Sequence, residues 1–255
     1  MAIELYQNQQ VSQIGRCRLQ HCRHINPQAL IEAIESPGEI LKRSSKNETR
    51  LVGEWVVKKS RFEGGLGPLK RTLARGRYRQ AWRAANHLHM RGVRVPQPLA
   101  YAEWAMCGII FGNATVTKFL DGCVNVEVFA AKLAVENNPR LSLDEFFAGL
   151  ASAVNRLAET GAYHADLSGK NIFTRDGQQF HFIDLDGVSV GLPYTDARRL
   201  KNQVQLYDSF CDFCNHETLA EFHALMLPEK SDYEEWMRAI VRAQKARRRR
   251  HVSRR

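Results

Sequence analysis

Residues 164–173 read HADLSGKNIF, and DLDG follows at 184–187. The spacing is His-x-Asp-x-x-x-x-Asn, then a strand, then Asp. Asp166 and Asn171 lie five residues apart on one loop, and Asp184 ends the apolar run that follows. A hairpin of this kind can bring all three side chains to one cavity. Carboxylate and amide oxygens are hard ligands suited to Mg²⁺, which keeps octahedral oxygen coordination and bridges phosphates. A further carboxylate nearby can accept a proton from an attacking hydroxyl. A metal, a positioned base and charge neutralisation are the parts that phosphoryl transfer from ATP requires. The plainer reading, a polar loop with capping roles, accounts for neither the spacing nor the strand context.

The elements that must position this segment can be read from the pattern around it. Ser142 followed by Glu145 is a capping box at a helix start. Leu143, Phe146, Phe147, Leu150, Val154 and Leu157 continue at helical spacing, and Gly161 closes the helix. The segment is therefore a loop and strand pair after a buried helix, and two helical stretches follow, at about 196–226 and 231–249. Towards the N-terminus, 27–36 reads as a short helix stopped by Pro37-Gly38. EILK (39–42), TRLVG (49–53) and EWVVKKS (54–60) read as an antiparallel meander joined by polar turns. EGGLGP (63–68) reads as a flexible loop, and Thr72 to Arg91 as a helix. GIIFG and ATVTKFL read as two strands with Gly112-Asn113 as their hairpin turn. The first 120 residues thus predict about five strands and one main helix.

HADLSGKN resembles the kinase catalytic loop His-Arg-Asp-Leu-x-x-x-Asn, and DLDG resembles the Asp-Phe-Gly magnesium motif. The resemblance implies Asp166 as catalytic base, Asn171 and Asp184 as metal ligands, Lys170 as a contact to the transferring phosphate, and His164 as a brace of the loop. EWVVKK resembles Val-Ala-Ile-Lys, which implies Lys58 as the lysine on the α/β-phosphates; Lys59 faces the other way on a strand. By the same resemblance RSSKNE (43–48) lies where the phosphate loop would be. Backbone around Lys118 and Phe119 would meet adenine. The departures are specific. The phosphate-loop region has no glycine, Ala165 replaces the arginine, no Ala-Pro-Glu follows, and Gln80 or Ala81 stands where a helix glutamate would pair with Lys58. They point away from an ordinary protein kinase towards a kinase of small substrates.

The segments 56–71, 79–103, 116–122, 161–173 and 182–187 are similar to the bacterial lipopolysaccharide core kinases, the Kdo/heptose kinase family, over about residues 38–210. The resemblance implies an α+β, bilobal protein-kinase-like fold, with a small antiparallel-sheet N-lobe and a mostly helical C-lobe. The expected division is an N-terminal extension at 1–37, an N-lobe at 38–120, a C-lobe at 121–244 and a basic tail at 245–255, with ATP between the lobes. It also implies an ATP- and Mg²⁺-dependent phosphotransferase acting on a hydroxyl of the lipopolysaccharide inner core, Kdo or heptose.

Composition bounds the rest. The chain has 255 residues, enough for two lobes with their own cores, and 44% of it is apolar and 25% charged. Net charge is +10, and the tail KARRRRHVSRR carries seven basic residues and no acid, leaving +3 without it. The tail reads as a cationic, solvated arm. That arm and the arginines at 75, 77, 79 and 83 suit an anionic glycolipid or inner-leaflet surface. Nucleic acid is not expected as a partner, and no obligate protein partner is inferred. No secretory signal and no membrane span are read, so the chain is expected in the cytoplasm with reduced cysteines, peripheral on the inner membrane at most. Cys211 to His216 could suggest zinc, but Phe210 and Phe213 read as helix packing. Two alternatives remain: an atypical protein kinase, and a non-catalytic kinase-like scaffold with the basic tail as binding element.

Overall fold

The computed structural model describes residues 8–45, 47–60, 76–136, 140–228 and 232–252. The expected loop at 63–68, the start of the helix expected from Thr72, and Arg75 lie outside the described residues. The chain divides into two compact units, Met1–Asp121 and Gly122–Arg255.

The first unit is built on a seven-stranded antiparallel sheet in the order β1-β2-β6-β7-β5-β4-β3. The strands are β1 (Gln9–Ile14), β2 (Cys17–Cys22), β3 (Glu39–Arg43), β4 (Asn47–Val52), β5 (Trp55–Ser60), β6 (Pro98–Met106) and β7 (Ile109–Lys118). The expected meander is present as β3-β4-β5. Helix α1 (Pro27–Glu35) opens with the Asn26 side chain accepting from the Gln28 N–H and with Pro27 in the first turn. Its Leu30, Ile31 and Ile34 pack on Leu19, Val57, Ala100, Ala102 and Val116 of the sheet. On the other face Tyr78 and Trp82 of α2 (Gly76–Met90) pack on Tyr101.

Three expectations need correction here. The stretch at 1–37 is no appendage over its described part: β1, β2 and α1 belong to the sheet and its core. Its strands were hidden because β1 reads QQVSQI, polar on both faces at the sheet edge. The hairpin turn is not Gly112-Asn113. One strand runs from Ile109 to Lys118, and the two-residue turn is Cys107-Gly108, both at positive φ (50° and 78°). That is what a tight hairpin demands, and a cysteine at such a φ gives little sequence signal. The two expected helical stretches near the C-terminus are three helices, α5 (Asp196–Phe210), α6 (His216–Ala224) and α7 (Tyr233–Val252).

The second unit holds two more helices, α3 (Val126–Val135) and α4 (Leu143–Glu159). The expected capping box is formed at Ser142 and Glu145, and Gly161 takes φ +70° just beyond the helix end. Phe146 and Phe147 of α4 meet Phe129, Phe180, Phe210 and Phe222, with ring centroids 4.8–5.5 Å apart. Full burial of each such ring stabilises by about 1.5–3 kcal/mol. Short strands supply the remainder: β8 (Val124–Asn125), β10 (Ile172–Thr174) and β11 (Phe180–Phe182) form one sheet, and β9 (Tyr163–His164) pairs with β12 (Val188–Ser189). The cationic tail is a helix as far as Val252, not a free arm. Arg248 bridges Asp208 (Nε–Oδ1 2.6 Å) and Asp212 (Nη1–Oδ1 2.8 Å), and Gln244 donates to Asp208 at 2.8 Å.

Candidate active site

The loop at 164–171 is irregular backbone, so its polar groups need partners from elsewhere. His164 is buried, at 1% exposure. The Asp166 N–H donates to its Nδ1 at 3.2 Å, so Nε2 carries the proton and donates to the Ile183 carbonyl at 2.9 Å. Burial pushes this imidazole below its ordinary range, outweighing the bond to Ile183 and the charges of Asp184 and Asp166. A neutral histidine thus ties the loop to the residue before Asp184. Ile183 N–H closes the same hairpin on the Asn171 carbonyl at 2.9 Å.

Helix α5 supplies what the loop lacks. Asn202, Gln205 and Ser209 stand at i, i+3 and i+7, one face of the helix. Asn202 donates to the His164 carbonyl at 2.7 Å. Gln205 accepts from the Leu167 N–H and donates to the Ala165 carbonyl, both at 2.9 Å. Ser209 accepts from the Gly169 N–H at 2.9 Å. At Gly169 a Cβ would stand 2.6 Å from Glu127 Cγ, so a larger residue there would need the Glu127 side chain to shift. Sequence reading missed these three residues. Their signal was present as polar side chains at helical spacing on a helix with a buried face.

Asn171 and Asp166 of the expected site meet directly, and the charges of Asp166 and Asp184 both reach His164. Asn171 Nδ2 donates to the Asp166 carbonyl at 2.9 Å and to its carboxylate Oδ2 at 3.0 Å. The amide nitrogen is thereby committed to Asp166, and its oxygen is the group presented elsewhere. Gln205 Nε2 reaches Asp166 Oδ1 at 3.5 Å. Asp166 and Asp184 are exposed, and so is Lys170 on the single turn at 169–171. Asp184 adopts φ 55°, ψ 52°, a left-handed backbone that costs a non-glycine residue of order 1 kcal/mol and marks functional sites. The Asp184 carboxylate and the Asn171 amide oxygen are hard donors of the kind a divalent cation such as Mg²⁺ takes.

The other three expected residues lie in the first unit. Lys58 is half-buried in β5, opposite Thr49 and Thr115. Thr115 in turn pairs with Tyr101, so Lys58 shares the face of Tyr101 while Val57 faces the α1 side. Lys59 takes that other side, its Nζ 5.7 Å from the Trp104 ring centroid. The sequence reading found no helix glutamate for the lysine's face. A buried acid of that face is Glu103 of β6, 3% exposed, which accepts from the Tyr101 hydroxyl at 2.7 Å and pairs with Arg79 of α2 at 3.4 Å. At Lys118 and Phe119 the backbone N–H groups are taken, by Gln97 O at 2.9 Å and Glu54 O at 2.8 Å. This stretch can therefore offer a base carbonyl acceptors but not these two donors. The glycine-free turn before β4 is held instead by Ser44, whose Oγ accepts from Asn47 N–H at 3.0 Å; Tyr78 of α2 donates to Asn47 Oδ1 at 2.7 Å.

Among curated protein sequences no relative matches the chain. Among solved structures it is similar to WaaP in complex with acyl carrier protein, at 21% identity and TM-score 0.62, over 86% of this chain and 90% of that one. It is also similar to the ROP18 kinase domain in complex with AMP-PNP and sucrose, at 10% identity and TM-score 0.51, over 81% of each chain. These likenesses show a kinase-like α+β fold. The family model described as "Lipopolysaccharide kinase (Kdo/WaaP) family" matches residues 34–235, beginning within α1 and ending in α7. With the loop at 164–171 and the hairpin to Asp184 falling inside that match, the chain belongs to the lipopolysaccharide kinase (Kdo/WaaP) family.

Proposed function

We propose that this kinase transfers the γ-phosphate of ATP to a sugar hydroxyl of the lipopolysaccharide inner core, with Asp166 as the base. The observation that carries the reading is the bond from Asn171 to Asp166 on a loop whose backbone is held by His164 and by side chains of α5. A preset carboxylate can orient a hydroxyl for in-line attack without reorganisation at the moment of reaction. Asn171 and Asp184 would hold magnesium; the ion, when bound, supplies neutralisation of the phosphate charge. Lys58 would hold the α/β-phosphates, Lys170 would touch the transferred phosphate, and the backbone carbonyls near Lys118 and Phe119 would face the base. Membership of the family supports this reading over a protein acceptor. Among the described residues no helix is long and apolar enough to cross a membrane, so contact with the inner leaflet would be peripheral. WaaP was solved with an acyl carrier protein. An acidic carrier protein would suit the exposed Arg77, Arg83, Arg91 and Arg94 on and after α2, and co-purification at low and high salt tests it.

The test offers labelled MgATP with extracted core glycolipid and a generic protein together. Label on the glycolipid supports the reading. Label on the protein alone replaces it with an atypical protein kinase. Magnesium-dependent nucleotide binding without transfer to either replaces it with a scaffold.

A further inference from the structure

Tyr163 immediately precedes the His164 brace, and its ring is flanked by two cations from one face of α5. Arg198 Cζ lies 4.9 Å and Lys201 Nζ 5.7 Å from the ring centroid. Both distances are within cation–π range. Arg198 is further fixed by donating from Nη1 to the Pro193 carbonyl at 3.0 Å, which leaves its other N–H groups for a ligand. Among the described residues neither cation is paired with a carboxylate. This differs from Arg79, Arg238 and Arg248, each of which is paired.

The place of this cluster is fixed by contacts already described. Lys201 adjoins Asn202, which donates to the carbonyl of His164, two residues before Asp166. Tyr163 pairs with Ser189 in the strand that leaves DLDG. Two cations unpaired with a carboxylate thus flank the residue that enters the loop bearing the proposed base. An aromatic face holds them in position without cancelling their charge. Fixed N–H donors bind a planar or tetrahedral anion at lower entropic cost than mobile surface lysines do.

We infer that Tyr163, Arg198 and Lys201 form a subsite for an anionic group, carboxylate or phosphate, on the acceptor. The inference rests on the proposed sugar-kinase reading and adds a charge requirement to it. The acceptor group lies next to the reacting hydroxyl, so the subsite sets which hydroxyl faces Asp166. The test measures transfer from MgATP to extracted core glycolipid by wild type, Lys201→Gln, Arg198→Lys and the double variant Arg198→Gln/Lys201→Gln. Enzymatically dephosphorylated glycolipid and carboxyl-amidated glycolipid are run as separate arms. The double variant is expected to raise the KM for glycolipid about tenfold or more while the KM for ATP stays within twofold. Arg198→Lys, which keeps the charge, should recover part of the loss. Amidation that removes the difference between wild type and double variant assigns the carboxylate; dephosphorylation that removes it assigns the phosphate. A glycolipid KM unchanged in the folded double variant overturns the subsite and leaves the kinase reading standing. Absence of transfer to glycolipid by wild type overturns both.

Discussion

The loop that carries Asp166 and the strand that carries Lys58 are positioned by different physics. Lys58 is set by a ladder: its neighbours Thr49 and Thr115 fix its height and the period of two fixes its face. The Asp166 loop has no ladder of its own. Its carbonyls and N–H groups end on the side chains of His164, Asn202, Gln205 and Ser209, three of them from a helix about 40 residues further on. A lysine on a ladder tolerates changes around it, whereas a loop held by side chains is only as fixed as those side chains. The first arrangement suits a group that binds, and the second a group whose aim must be kept within a fraction of an ångström.

The sharpest way to break the comparison is at the reacting group. Asp166→Ala should lower the transfer rate about 10²–10⁴-fold, the range of a general base, with little change in fold; rapid-quench assays check it. The next effect in size is on stability against pH. His164 is held below its ordinary range by burial, and burial takes His223, beside Gln203, down to about 3. Burial disfavours the charged form of both in the fold, while the unfolded chain protonates them near pH 6.5. Their contribution is complete above that pH and is lost as pH falls towards the folded values. Each loses up to about 1.4 kcal/mol per pH unit. Urea unfolding at pH 7.5 and pH 5.5 should show the drop, and a flat profile would deny the buried neutral state.

Gln205→Ala sharpens the contrast from the loop's side. It strands the Leu167 N–H and the Ala165 carbonyl, at about 1–3 kcal/mol for a buried unsatisfied group, and should reduce transfer more than nucleotide affinity. Lys58→Ala should do the reverse. Losing a charge-assisted contact worth about 1.5–3 kcal/mol weakens nucleotide binding roughly ten- to a hundredfold. Unfolding should barely change, read by titration calorimetry and melting. Arg248→Ala is expected to have the smallest effect, about 1 kcal/mol or less, because Arg248 is 43% and Asp212 70% exposed; added salt should shrink it further.

What the sequence disclosed follows the same division. Local rules showed the capping box at Ser142, the meander from Glu39 to Ser60 and the register that separates Lys58 from Lys59, because each depends on neighbours in the chain. The loop residues His164, Asp166 and Asn171 were legible as a spacing, and the structure draws them together. The braces on α5 were not, since Asn202 and Gln205 look like ordinary helix-surface residues until the helix is known to be buried. Glu103 was missed for a related reason. A lone acid in the apolar strand PLAYAEWAM declares no partner, and its partners Tyr101 and Arg79 come from the same strand and from helix α2. The edge strand β1 lacked alternation because little of it is covered. Long-range side-chain contacts and edge strands are where local pattern carries least information.

The measurement closest to the central claim pairs transfer with binding on Asp166→Ala and Lys58→Ala beside wild type. Single-turnover phosphate transfer to core glycolipid is read in one arm and MgATP affinity in the other. The account predicts that Asp166→Ala loses transfer and keeps its nucleotide affinity, while Lys58→Ala loses affinity first. Transfer at the wild-type rate by Asp166→Ala would contradict it and remove the loop from the chemistry.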